Sequence, residues 1–281
     1  FSYKRDNLGD INSYYSFNAD IIEGNLSGPE PITSFILPSL GLNIPGDLTF
    51  FGSFYTGLTD GITQGYFKPT ANQVVSSTFY GSRFAPKTEN NWFWLGKLTY
   101  KYSPTLKFYY SFNQSVNINQ STQSVQSNLE YVEPSPGYQY EFQNILDNAN
   151  TYTHNNKYHS IGITHTLSSK TFYEFKINSF FTTLREDANG KDWYLYAEPK
   201  DIITFPIEYF NINRDTINVI PGDGFWDVGN NFNWRDHYTQ ELSIRGDLTN
   251  FFDEKNKFKA GFNFQFQEMQ VIDIYKPWIG E

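Results

Sequence analysis

Cysteine is absent from the 281 residues, which excludes a disulfide scaffold, thiol chemistry and any zinc site built on cysteine. Positive charge is scarce. Lys and Arg number 21 against 30 Asp and Glu, the net charge is -9 and the isoelectric point is near 5.0. That balance argues against a nucleic-acid partner, which calls for a basic surface. No apolar run approaches the roughly 18 residues of a membrane helix, and the mean hydropathy is -0.54. A helical membrane protein is thereby excluded, but a membrane barrel is not, because its strands alternate lipid-facing and lumen-facing residues and average out as soluble. Methionine occurs once, and the chain opens on Phe1 with no charged-then-apolar leader, so the expectation is a processed or partial chain. Aromatic residues are abundant, at 19%, which is too rich for a disordered chain.

The apolar period is 2 almost wherever a period can be read. Trp92, Trp94, Gly96, Leu98 and Tyr100 alternate with Lys97, Thr99 and Lys101. Beyond Ser103-Pro104-Thr105, the series Leu106, Phe108, Tyr110, Phe112 alternates with Lys107, Ser111 and Asn113. The stretch "HTLSSKTFYEFKI" (165–177) reads as two strands about a tight turn, with Ile161, Ile163 and Leu167 entering and Tyr173, Phe175 and Ile177 leaving. Leu242, Ile244 and Leu248 alternate with Glu241, Ser243 and Arg245, and Phe258, Phe262, Phe264 and Phe266 with Lys257, Lys259 and Gln265. An earlier strand spans 48–58 and a weaker one 21–27, which makes about eight strands. Residues 138–150 are the one place with room for a turn or two of helix.

Short connections fall at 103–105, 168–170 and 249–256 and long ones at 59–91, 119–157 and 186–237, in strict alternation. In an antiparallel meander this puts all the long loops at one end. Long structureless loops are unusual in compact domains, and their collection at one end is what outer-membrane barrels do. The pattern therefore predicts an all-β, antiparallel transmembrane barrel segment, with a large soluble β-sandwich or soluble barrel as the rival. Trp94, Leu98, Leu106, Phe108, Tyr110, Ile161, Ile163, Phe175, Ile177, Leu242, Ile244, Phe262 and Phe264 are expected on lipid. Lys97, Lys107, Glu174, Lys176, Arg245, Lys259 and Gln265 are expected in the lumen.

The hairpins at 165–177, 91–115 and 241–270, with "EGNLSGPEPI" (23–32) running into "DLTFFGSFY" (47–55), resemble TonB-dependent outer-membrane receptors of the Bacteroidetes-type flavour with a carboxypeptidase-regulatory-like extension. The family's early segment has "GGP-P" before "FF-S"; here Ser27 replaces the first Gly and Glu30 intervenes. The resemblance implies transport: a gated receptor in the outer membrane of a Gram-negative-type bacterium, taking up a scarce nutrient such as a ferric chelate, cobalamin, an oligosaccharide or a peptide. It also implies a plug domain contacting TonB, neither of which this chain shows. Family barrels close about 22 strands, so the chain is expected to be the first part of a barrel. A surface lipoprotein is a further expected partner. The alternative is a structural barrel that anchors or scaffolds a surface complex.

Catalytic signatures are missing: no Gly-x-Ser-x-Gly elbow, His-Glu-x-x-His or phosphate loop occurs, and the expectation is a protein without enzymatic activity. His159 and His165 lie too far apart along one strand to share a metal, and their rings are expected near the barrel rim. In "EDANGKD" (186–192), Asp187, Asn189 and Asp192 have a spacing that suits calcium, although an ordinary turn explains it equally. "PGDGFWDVGNNFNWRDHY" (221–238) brings Asp223, Phe225, Trp226, Asp227, Trp234 and Asp236 into one aromatic and acidic loop. Such a mixture suits sugar or chelate binding, or simply a structured external loop.

Overall fold

The computed structural model describes residues 1–5, 19–59, 89–119, 140–142, 145, 148–188, 190–202, 206–210, 216–221, 224–253 and 255–280. Nine strands form one antiparallel sheet: β1 (Ser2–Arg5), β2 (Asp20–Pro29), β3 (Asp47–Thr59), β4 (Glu89–Lys101), β5 (Leu106–Asn119), β6 (Thr151–Ser168), β7 (Thr171–Asp187), β10 (Asn233–Phe251) and β11 (Lys257–Tyr275). Each pairs with its predecessor in the sheet. Between β7 and β10, a separate hairpin joins β8 (Pro206–Phe210) to β9 (Thr216–Pro221). The eight expected strands are all present and longer than expected; β1 and the β8–β9 hairpin are additions. Within 138–150, where a turn or two of helix is expected, the described residues include one 3-10 turn, Tyr140–Phe142.

Because side chains alternate along a strand, the register decides which residues share a face. One cross-strand row reads Phe50, Leu98, Tyr110, Ile161, Ile177, Ile244, Phe264. Two residues along lies Leu48, Tyr100, Phe108, Ile163, Phe175, Gly246, Phe262. The intervening positions form the other face, with Lys97, Ser111, Ser160, Asn178, Ser243 and Gln265 in a single row. All thirteen residues expected on the apolar face are there, and all seven expected opposite them are opposite. No described residue covers the apolar face: Ile161, Phe264 and Phe266 expose 54%, 60% and 67% of their surface. A patch of this extent far exceeds what a soluble monomer normally shows.

The opposite face is stitched by side chains. Asn178 Oδ1 accepts from Tyr158 Oη at 3.0 Å and Ser160 Oγ at 2.7 Å, and Asn178 Nδ2 donates to Ser243 Oγ at 3.1 Å. Asn156 Nδ2 donates to Ser115 Oγ at 3.2 Å, and Lys176 pairs with Glu174 at 3.2 Å. His159, expected near a rim, instead lies within the apolar face. Its Nδ1 is 2.9 Å from Tyr110 Oη and its ring is 4.9 Å from that of Phe112, so its polar edge is satisfied there.

Short turns close with their own side chains. Ser103 Oγ accepts the Leu106 N–H at 3.1 Å, Ser168 Oγ that of Lys170 at 3.2 Å, and Asp253 Oδ1 those of Lys255 and Asn256 at 2.8 and 2.7 Å. The connection at 30–46 joins β2 to β3 at this same end. It is neither a tight turn nor one of the long loops, a third class that the alternation of loop lengths does not reveal. The turns are staggered. Along the ladder Lys107↔Thr164↔Glu174↔Asp247↔Gly261, the β4–β5 turn leaves from the row of Lys107, whereas the β10–β11 turn leaves at Phe251↔Lys257, about four residues lower, after a lateral step of about four strands.

Three glycines face aromatic rings on the paired residue of the neighbouring strand: Gly24 under Phe54, Gly162 under Tyr109 and Gly246 under Phe262. A Cβ at any of them would run into the ring. Gly162→Val is expected to cost about 1–3 kcal/mol by overpacking. In denaturant titrations, Tyr109→Ala in the same chain should recover most of that loss. Additive costs would show that the ring is not what excludes the side chain.

Candidate functional site at the long-loop end

Beyond the apolar rows, β7 and β10 continue to alternate, so Arg185 and Glu186 point to opposite faces and organise two clusters. Arg185 Nε donates to Asp187 Oδ2 at 2.8 Å, Nη2 to Asp192 Oδ1 at 3.2 Å and Nη1 to Asp236 Oδ2 at 3.3 Å. Its guanidinium lies 4.2 Å from the centre of the Trp234 ring. Partial burial acts to lower the Arg185 pKa, but the three carboxylates outweigh it and hold it above its ordinary value. Trp234 is buried with Ala188 and Tyr196, and Ile274 and Trp278 pack against them. Its Nε1 donates to the Lys191 carbonyl at 3.2 Å.

On the other face, the buried Glu186 carboxylate accepts from Asn150 Nδ2 at 2.7 Å and Tyr152 Oη at 3.0 Å, with Arg235 Nε at 3.7 Å. Burial raises the Glu186 pKa above the usual carboxylate range, against the pull of these partners. Burial likewise raises the Tyr152 and Tyr196 hydroxyls. Tyr196 Oη accepts the Ala188 N–H at 2.7 Å and donates to Asn150 Oδ1 at 3.3 Å. Asp273 Oδ1 receives Arg235 Nε at 2.7 Å and lies 2.8 Å from His237 Nε2. Long-loop residues thus reach strand residues through a chain of buried polar groups.

Of the residues singled out from the sequence, Trp234, Asp236, Asp187 and Asp192 converge on Arg185. Asp187 and Asp192, expected as calcium ligands, are turned onto a guanidinium, and Asp187 Oδ1 also accepts the Gly190 N–H at 2.8 Å. Among the described residues, no group of three or more His, Asp or Glu side chains is arranged to hold a metal ion. Phe225, Trp226 and Asp227 lie on a second strap. Trp226 donates through Nε1 to Glu141 Oε2 at 3.1 Å, and Asp227 Oδ2 accepts the Ile202 N–H at 3.0 Å. Asp223 and Asn189 lie outside the described residues. Sequence reasoning missed Arg185, Glu186, Asn150, Tyr152, Arg235 and Asp273. The usable signal was that period-2 alternation runs on to Asp187 with charged residues on both parities.

Comparison with protein-family models, with characterised proteins and with solved structures returns no match.

Glu186→Ala leaves Asn150 and Tyr152 short of an acceptor and is expected to cost about 1–3 kcal/mol, read as faster proteolytic cutting within 188–202. Glu186→Gln isolates the charge. A carboxyl whose folded pKa is raised favours the folded state most below its unfolded pKa, and that contribution is lost as pH rises through the folded value. The Gln variant should therefore gain on the wild type as pH rises from about 4 to 8. A difference independent of pH would refute the buried-charge account.

Proposed function

We propose that the chain forms part of the wall of an outer-membrane β-barrel, within a TonB-dependent receptor that takes up a scarce nutrient. The observation that carries this reading is the pairing of an exposed apolar face with a hydrogen-bonded polar face across one continuous sheet. A soluble sandwich would bury Phe262 and Phe264 against a second layer, whereas here they stand exposed. On this reading the apolar face meets lipid and the polar face lines a wet lumen.

Two dimensions support it. If the short turns share one height in the membrane, their stagger is ~13 Å along the strands for ~19 Å across them, a tilt of about 35°. Membrane barrels tilt by about 35–45°. On β10, the lipid-facing apolar positions run from Leu248 to Leu242, ~20 Å of strand or about 16 Å of depth at that tilt, and the same face continues through Gln240 to Tyr238, about 27 Å of depth in all. The expected apolar band is about 25 Å with aromatic girdles. Tyr238, stacked on Phe181 at 6.0 Å, falls at the upper girdle, and Tyr100 and Tyr173 at the lower.

Transport rests on the sequence resemblance together with the long-loop end, where aromatic and charged groups gather around the mouth. Nutrient recognition would fall to the loops and to the plug that the family carries, and TonB would act through that plug. A calcium ion between Asp187 and Asp192 would have to displace Arg185.

Lysine placed at Ile177 should destabilise the membrane-embedded protein by about 2–4 kcal/mol, whereas lysine at the adjacent Asn178 should cost far less. Folding titrations into lipid vesicles read both, and equal costs would defeat the lipid assignment. On intact cells, protease should cut only in the long connections, 60–88, 120–150 and 188–232, and spare Ser169. For transport, the protein extracted from outer membranes should capture the periplasmic domain of TonB. Outer-membrane residence without TonB capture would favour the scaffold reading.

A further inference from the structure

The connection at 30–46 is folded inside out. Glu30 fixes its start, accepting the N–H groups of Ile32 at 3.0 Å and Thr33 at 2.8 Å and the Thr33 hydroxyl at 3.0 Å. A π-helical turn, Ile32–Ile36, then runs into an α-helical turn, Leu37–Ser39. In a surface helix the apolar stripe faces the protein and the polar side faces water. Here Thr33, half-buried, and Ser34, exposed, line a groove against the sheet end together with Ile44, Leu48, Thr49 and Tyr100. Ile32, Phe35, Ile36, Leu40 and Leu42 point away, with Phe35 66% and Leu40 69% exposed. Residues 31–46 include no charged side chain, although Lys170, Asp253 and Lys255 mark the neighbouring turns at the same end of the sheet.

We infer that this connection is an interfacial anchor, lying in the boundary between head groups and acyl chains of the inner leaflet; the inference rests on the membrane reading above. The segment turns Thr33 toward the groove and leaves five large apolar side chains exposed, so its outward environment must accept apolar groups. The segment is continuous with the lipid-facing surface, because Tyr100 Oη, from a ring on the apolar face, donates to the Pro45 carbonyl at 2.6 Å. Tyr100 sits at the lower girdle, the depth at which an interfacial segment lies. Phe and Leu without charge suit burial of about 5–10 Å into that boundary. The turns at 103–105 and 169–170, polar and tight, are built for water by contrast, and the turn at 252–256 sets one exposed aromatic, Phe252, among polar residues. One connection of the four would therefore tether the wall to the inner leaflet while the others project into the periplasm.

These 281 residues hold no cysteine, so each introduced thiol is the one label within them. Phe35→Cys and Leu40→Cys, each carrying an environment-sensitive fluorophore, would be compared with Leu98→Cys on the apolar face and Ser103→Cys in a tight turn. The protein is reconstituted in phosphatidylethanolamine–phosphatidylglycerol vesicles containing lipids spin-labelled near the head group or deep in the acyl chain. The expected result is quenching at 35 and 40 by the shallow spin label more than by the deep one, deep quenching at 98, and quenching at 103 by aqueous iodide alone. Iodide quenching at 35 and 40 with lipid quenching kept at 98 would overturn the anchor and leave the membrane reading standing. Labels at 35 and 40 shielded from both quenchers would mean that protein covers the segment, which also overturns it. No lipid quenching at 98 would overturn both readings.

Discussion

Everything in this molecule hangs on the backbone ladder. From Arg5↔Asp20 to Phe251↔Lys257 the strands pair without a break, and the described register has one irregularity in the main sheet, at Thr166 and Ser168 beside a turn. A slip of one residue in any strand would carry Lys97 or Arg245 onto the apolar face and Leu98 or Ile244 onto the polar one. Two opposed chemistries therefore enforce the ladder as much as the ladder sorts them. Where small residues leave gaps, aromatic rings from the paired position fill them, as Tyr109 does over Gly162.

At the long-loop end, apolar sorting gives way to charge. Arg185 gathers Asp187 and Asp192 from the loop side and Asp236 from β10, while Glu186 does the same for Asn150 and Tyr152 on the other face. Buried ion clusters owe their stability to complete satisfaction rather than to charge alone. Even the half-exposed Asp273 is engaged, by Arg235 and His237.

The sheet was legible in the sequence because alternation is a local property: "KFKAGFNFQFQ" states its two faces without help from any partner. What was illegible depended on tertiary partners. Ser2–Arg5 is too short to show a period, and β8 and β9 sit inside a stretch whose length marked it as a loop. The acidic residues at 187–192 carry a spacing that reads as calcium ligation until the fold supplies Arg185, whose position two residues upstream gives no hint that it turns back on them. The connection at 30–46 shows its composition plainly but not its orientation, which only the groove beside Leu48 and Tyr100 reveals.

Each described strand of the main sheet pairs with its immediate predecessor, and among the described strands only the β8–β9 hairpin intervenes. The consequence is kinetic. Closing a hairpin of this kind depends on the loop between two consecutive strands, and the entropic penalty grows only logarithmically with its length. The sheet can therefore zip outward one strand at a time, with a long loop slowing its own step without blocking the next. Energetically such a sheet approaches a one-dimensional chain of nearest-neighbour couplings, as in repeat proteins. Damage to one strand should then weaken its two junctions and leave more distant ones intact.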